Sequence, residues 1–395
     1  MTLRDERDMQ LSETYCRIVL GMDNLYRNGH ESTNEASFDR EGLVPINLTD
    51  VAPNSYTSWT EVREDLRRLL ADYAKITDEV RRNYMQQQIG SLDVLANWCA
   101  GADIPFREKV RGFLYVNENP VTSAEQKTLH ARLDKALSQC GYQGTLAQKV
   151  AAWEAERRVP AKELDSVLRE MLATARALVA ERMFPQMADV EVTPEIVYGV
   201  PYNAYCDYVN GKMYLNGDLA YTYEGLKHLV THECFPGHTT HMYIRELGVK
   251  AGELPLDAGL VITNTASSSV FEGIADNGMR FISWGYTVDD HIYEIYQQIR
   301  SISGMNAAHM IHTEGKTPEE AGHYLKEFAF GEDNWIASRL RFVTHSLRAP
   351  FIYSYWRGNE AVYEAYSRLA PSEHNQFYQF LYKSMLSADT VKQYG

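Results

Sequence analysis

The sequence predicts a mainly α-helical protein with one small β element, and three observations lead there. Stretches rich in Leu, Arg, Glu and Ala with few breakers cover residues near 8–28 and 57–100. Apolar residues recur at helical spacing farther on, in Leu129, Leu133 and Leu137 and then in Leu164, Val167, Leu168, Met171, Leu172, Leu178 and Val179. β-Branched alternation and a tight-turn dipeptide are confined to the stretch from near residue 188 to Leu215.

Taken in order, residues 29–56 hold Gly, Asn, Pro and Ser and read as a long loop between the first two helical stretches. Thr122-Ser123-Ala124-Glu125 fits a capping box, so a helix starts there. Residues 1–187 read as a helical scaffold. Val190-Glu191-Val192 and Ile196-Val197-Tyr198 then read as strand, and residues 204–209 and 212–215 flank Asn210-Gly211, the strongest short-range hairpin signal. Such a strand pair offers an edge to which an extended peptide can hydrogen-bond, and Tyr205 on that pair is expected to touch substrate. From Tyr221 the pattern is helical again, with Leu226, Leu229 and Val230 leading to His232. Residues 188–395 read as the metal-binding catalytic region, forming one compact unit with the N-terminal helices.

A chain of 395 residues with 45% hydrophobic and 23% charged residues fits an ordinary globular protein. Its net charge of -14 opposes binding to nucleic acid or an anionic membrane. No run approaches the roughly 20 apolar residues that span a bilayer, and Met1 to Asp8 carries acids and leads into no signal core, so a cytoplasmic location is expected. Five scattered cysteines lack C-x-x-C spacing and read as reduced thiols, with Cys234 a small buried apolar residue.

The stretch Thr231-His232-Glu233-Cys234-Phe235-Pro236-Gly237-His238 carries the chemistry. A His-Glu pair followed by a second histidine gives a metal two imidazole nitrogens and sets a carboxylate beside the water on it. The histidines are six apart instead of the usual four, which at about 100° per residue puts them on separated helix faces. Pro236 and Gly237 occupy the gap and can bend the backbone so that His238 comes round to His232. His228 with His232, and His238 with His241, are workable rival pairs. Downstream, Glu272 and Asp276 are four apart and share a helix face. One of them would bind metal while the other accepts a hydrogen bond from a ligand histidine. Two histidines and a glutamate leave a position open for water, as catalytic zinc requires, and Glu233 is then the general base.

The run 205–216, then His232-Glu233-x-x-Pro236-Gly237-His238, then Phe271-Glu272-Gly273, resembles the domain of unknown function 885 family of bacterial zinc hydrolases. That family is similar at a distance to the gluzincin metallopeptidases, and the resemblance covers roughly residues 190–370. It implies an α-rich thermolysin- or neurolysin-like core, one zinc per chain on His232, His238 and Glu272, Glu233 as base, and Asp276 and His228 behind the ligands. It also places Arg300, His312 and Tyr355 around the substrate. Arg300 suits a bidentate grip on a carboxylate, while His312 or Tyr355 suits donation to an oxyanion. The chain departs from the family at His241, Ala308 and Ala349-Pro350-Phe351, changes that bear on the substrate; His241 becomes a pocket-lining candidate. The expectation is a zinc-dependent metallohydrolase, of the metallopeptidase or amidohydrolase kind, in which Glu233 activates the zinc-bound water to cleave an amide or peptide bond in a short peptide or small amino-acid-derived substrate. A non-hydrolytic zinc enzyme, or a binding protein on the same fold, is the alternative.

Overall fold

A computed structural model describes residues 6–29, 41–200 and 202–394. The first residues of the chain and positions 30–40 of the expected loop lie outside the described residues. The protein is mainly helical with small sheets, as expected. Two compact units divide it: one takes residues 1–118, 241–274 and 353–395, the other 119–240 and 275–352. Each unit therefore draws on both sides of residue 187.

In the first unit, helices Glu6–Gly29, Trp59–Tyr73, Glu79–Cys99 and Phe106–Leu114 bury their apolar stripes together. The stretch 57–100 is two helices, not one. Ser58 starts the first through a capping box with Glu61, and Asp78 caps the second by accepting from the Arg81 amide. Local capping chemistry breaks the run inside a stretch whose composition is helix-favouring throughout. Ile46 and Asn47 pair antiparallel with Leu260 and Val261 inside this unit. Helix Arg348–Tyr366 crosses helix Ala266–Asp276 at a backbone-to-backbone contact. A Cβ on Gly358 would stand 1.8 Å from the Ser269 carbonyl oxygen, and one on Gly273 2.2 Å from that of Gly358. Both positions thus require glycine for close approach.

The second unit holds helices Ser123–Gln139, Leu146–Arg157 and Leu164–Arg182, and the first of these starts at the Thr122–Glu125 capping box read from the sequence. A three-stranded sheet follows: β1 (Thr193–Val197), β2 (Ala204–Asp207) and β3 (Lys212–Asn216). β3 is central, parallel to β1 and antiparallel to β2, with Tyr205 opposite Tyr214. The hairpin forms with Gly211 at φ 63°, but β2 ends at Asp207 because the Asp207 carboxylate turns back to accept from Asn210. Helix α1 (Tyr223–Glu233) leaves the sheet, α2 (His238–Lys250) and α3 (Ala266–Asp276) follow, and α4 (Val288–His312) lies behind α1. On α4 the residues Ile292, Ile295, Ile299 and Ile302 are buried, while Val288 stands 55% exposed at the helix start.

Candidate metal centre

Helix α1 brings Lys227, His228, Thr231 and His232 to its inner side, all buried or nearly so. Thr222 caps the start by accepting from the Gly225 amide, and the helix stops at Glu233, where Cys234 leaves helical geometry. Residues 234–237 then make a tight reversal, held by the Gly237 amide donating to the Thr231 carbonyl at 2.8 Å. The Phe235–Pro236 peptide is cis. Glycine is obligatory at 237, since an added Cβ would lie 1.7 Å from the His232 carbonyl oxygen. Thr239 and Thr240 donate their hydroxyls to the carbonyls of Glu233 and Cys234, at 3.2 and 3.1 Å, tying the start of α2 to the end of α1.

The consequence is the juxtaposition of His232 and His238, whose ring centroids are 4.7 Å apart and nearly perpendicular at 82°. The reversal through Pro236 and Gly237, not a continuous helix, overcomes the six-residue spacing. His232 Nδ1 donates to Asp276 Oδ1 at 2.8 Å. A carboxylate can only accept here, so the proton sits on Nδ1 and the lone pair of a neutral ring is on Nε2. His228 Nε2 lies 3.6 Å from the same carboxylate oxygen, and its ring is 5.7 Å from His232 and 5.8 Å from Tyr293. His228, His232 and Asp276 form a group able to hold a cation. Glu272 is one turn before Asp276 on α3, so roughly 6 Å of helix axis separates two carboxylates on one face.

Burial sets the electrostatics. It pushes the His228 imidazole down to about 4 against the pull of Asp276, so that ring is neutral near pH 7. It also holds His238 well below the usual histidine range, with His232 adding to the effect. Neutral imidazoles are what a metal ligand requires. Burial pushes the Cys234 thiol up, with Cys206 and Glu233 adding to it, as expected of an inert buried cysteine. Behind α1, Lys227 donates to both Asp290 carboxylate oxygens at 2.9 Å, and Asp290 also caps α4 by accepting from Thr287. The sequence reading missed this buried pair, although Thr287-x-x-Asp290 has capping-box spacing.

The remaining expected site residues lie on other elements of the two units. Arg300 lines a cavity of the second unit together with His228. His312 ends α4, exposed, with its Nε2 bonded to the Val343 carbonyl at 2.7 Å, roughly 18 Å along the axis from Arg300. Tyr205 stacks obliquely on Tyr202 with centroids 5.4 Å apart. In the first unit, buried His241 stacks on Phe271 and meets Tyr382 edge-on, each at 5.2 Å, and Tyr355 is half-buried on helix Arg348–Tyr366.

The sequence matches no family model and no curated protein. Solved structures share the fold. A chain described as a "putative lipoprotein from Colwellia psychrerythraea" aligns with a TM-score of 0.55 at 12% identity, over 85% of this chain and 68% of its own. A "putative lipoprotein of unknown function from Shewanella oneidensis" aligns with a TM-score of 0.52 at 14% identity, over 85% of this chain and 72% of its own. The resemblance to the domain of unknown function 885 family is therefore withdrawn, and with it the metalloprotease class it implied: no family model carries it, and the neighbours are described otherwise. The cytoplasmic location is withdrawn too, since both neighbours are described as putative lipoproteins. No helix among the described residues is long and apolar enough to cross a membrane.

Proposed function

We propose that the protein is a zinc-dependent hydrolase that cleaves an amide or peptide bond in a short peptide or small amino-acid-derived substrate. His232, His238 and Glu272 hold one zinc per chain in this reading. The observation that supports it most is the His232–Asp276 hydrogen bond beside His238: the carboxylate behind the ring fixes the tautomer that frees Nε2, as carboxylates behind ligand histidines do. Zinc bound there would polarise the substrate carbonyl and make a water more acidic. A gluzincin-like arrangement, with the His-Glu helix followed by a later carboxylate helix, belongs to this proposal as geometry alone.

Glu233 adjoins His232 at the buried end of α1 and acts as general base, taking the attacking water's proton and delivering it to the leaving amine. Asp276 keeps the His232 ring oriented throughout. Strand β2 is an edge of its sheet, and Cys206 on it has its sulfur 3.2 Å from the Thr239 hydroxyl, so a substrate added to that edge lies alongside the end of α1.

The test is metal content of wild type and Glu233→Gln, each then incubated with short peptides, acyl amino acids and amino-acid amides and analysed by mass spectrometry. About one zinc per chain in both is expected, with hydrolysis by the variant reduced roughly 10²–10⁴-fold. Bound zinc without hydrolysis would turn the reading to a non-hydrolytic zinc enzyme, and a wild type that binds no metal overturns it.

A further inference from the structure

Arg245 is 5% exposed, on the part of α2 that belongs to the first unit. A guanidinium carries five N–H donors and keeps its charge near pH 7, so burying one calls for acceptors and a counter-charge around it. Arg81 of the same unit has both, donating to Asp8, to Asp257 and to the Tyr73 hydroxyl. Arg245 is served differently. Its Nε is buried and meets no hydrogen-bond acceptor among the described residues, and the guanidinium forms no ion pair with any of them.

The carboxylates that could have served it are taken. Glu246, the next residue, accepts from Lys250 at 2.6 Å. Asp257 acts on Arg245 through its charge, but both its oxygens accept from Arg81 and one accepts from Ser12 as well. The stronger influence on Arg245 is Tyr84, and burial pushes the Tyr84 hydroxyl up, so it carries no charge near pH 7. Phe271 of α3 offers only a ring, its centroid 5.9 Å from the guanidinium carbon. Burial pushes the Arg245 guanidinium down to about 10, with Tyr84 and Asp257 pulling the other way, which leaves a cation near pH 7. A buried charge without compensation is strongly destabilising, so the counter-charge comes from outside the chain.

The surroundings select the kind of ion. One positive charge is balanced by one negative charge, whereas a divalent oxyanion would bury an excess. A group only 5% exposed is reached by a compact ion, while a peptide carboxylate would bring its chain with it. We infer that Arg245 binds a small monovalent inorganic anion of the chloride kind inside the first unit, where α2 faces Phe271 of α3. Neither the metal centre nor the hydrolase reading enters into this site.

The experiment follows urea unfolding of the full-length chain over a series of sodium chloride concentrations, with sodium gluconate holding the ionic strength constant. Above half-saturation the unfolding equilibrium constant should fall about tenfold for each tenfold rise in chloride, as for one site filled only in the folded state. Arg245→Met should flatten that series, and Arg245→Lys, with charge but no fork, should move half-saturation to higher chloride. A flat series in wild type, a fall that survives Arg245→Met, or a fall with acetate or phosphate but not with chloride would overturn the site. A second measurement needs no substitution. Wild-type crystals grown in sodium bromide should show anomalous scattering within hydrogen-bonding reach of the Arg245 guanidinium. Water there without anomalous signal overturns the site, and a bromide peak beside a flat chloride series marks an adventitious ion only and overturns it too.

Discussion

The two units bury charge in different ways. In the first, Arg81 is 10% exposed and donates to Asp8, to both oxygens of Asp257 and to the Tyr73 hydroxyl, while Ser12 donates to Asp257 as well. Guanidinium forks and carboxylates saturate one another there, and such a knot has structural use only. In the second, Asp276 faces the imidazoles of His232 and His228, which are less basic partners. The proton that Asp276 fixes on His232 Nδ1 leaves the lone pair of the neutral ring on Nε2. The second unit also contains a saturated pair, Lys227 with Asp290, only one residue before His228. The contrast is therefore a property of the histidines, not of the unit. A closed ion network fixes packing, whereas a carboxylate–imidazole pair fixes a tautomer.

That comparison can be broken or sharpened by substitution. The largest effect is expected for Arg81→Met, which leaves Asp8 and Asp257 buried without their cation: stability in urea should fall by about 3–5 kcal/mol. The same network should show in acid. Burial pushes the Asp257 carboxyl up, but the Arg81 charge and the hydrogen bonds from Arg81 and Ser12 outweigh it and hold it below the usual range. Its contribution is thus complete above the unfolded value of about 4 and is lost as pH falls through the lower folded value; a wild type no less stable at pH 2 than at pH 7 would contradict the argument.

Asp276→Asn should do the reverse of Arg81→Met. Zinc affinity, read by competition with a chromophoric chelator, should weaken about 10–100-fold while apo-protein stability changes little. A large loss of stability with unchanged affinity would make the His232–Asp276 pair structural, like the Arg81 knot. The smallest effect is expected at Thr287, which caps α4 through Asp290. Thr287→Ala should cost about 1 kcal/mol in urea, and a much larger loss would show that Thr287 also holds Asp290 on Lys227.

Much of the local structure was legible in residues. Thr122 and Glu125 marked a helix start that forms as read, and Asn210-Gly211 marked a hairpin. The break at Asp78 was also present as a capping residue, inside a stretch whose composition is helix-favouring on both sides. At the centre, His232, Glu233, His238 and the Pro236-Gly237 pair stood out by identity and spacing, and the two histidine rings lie 4.7 Å apart. Tyr293, Trp335 and Glu154 did not stand out, because an aromatic or acid on an amphipathic helix has the same pattern whether it faces a cavity or plain packing. The wider family resemblance was misleading: a short motif describes a ligand geometry, while ancestry and location are properties of the whole chain.

The sequence by itself determined the helical class, the place of the small sheet and the residue types able to bind a metal, because periodicity, capping and ligand chemistry are local. Only the tertiary structure decided that Asp276 meets His232, that Gly237 must lack a side chain, and that Arg300 shares a cavity with His228. Those facts depend on which surfaces of distant segments come within a few ångströms, and that is set by packing across elements remote in the chain.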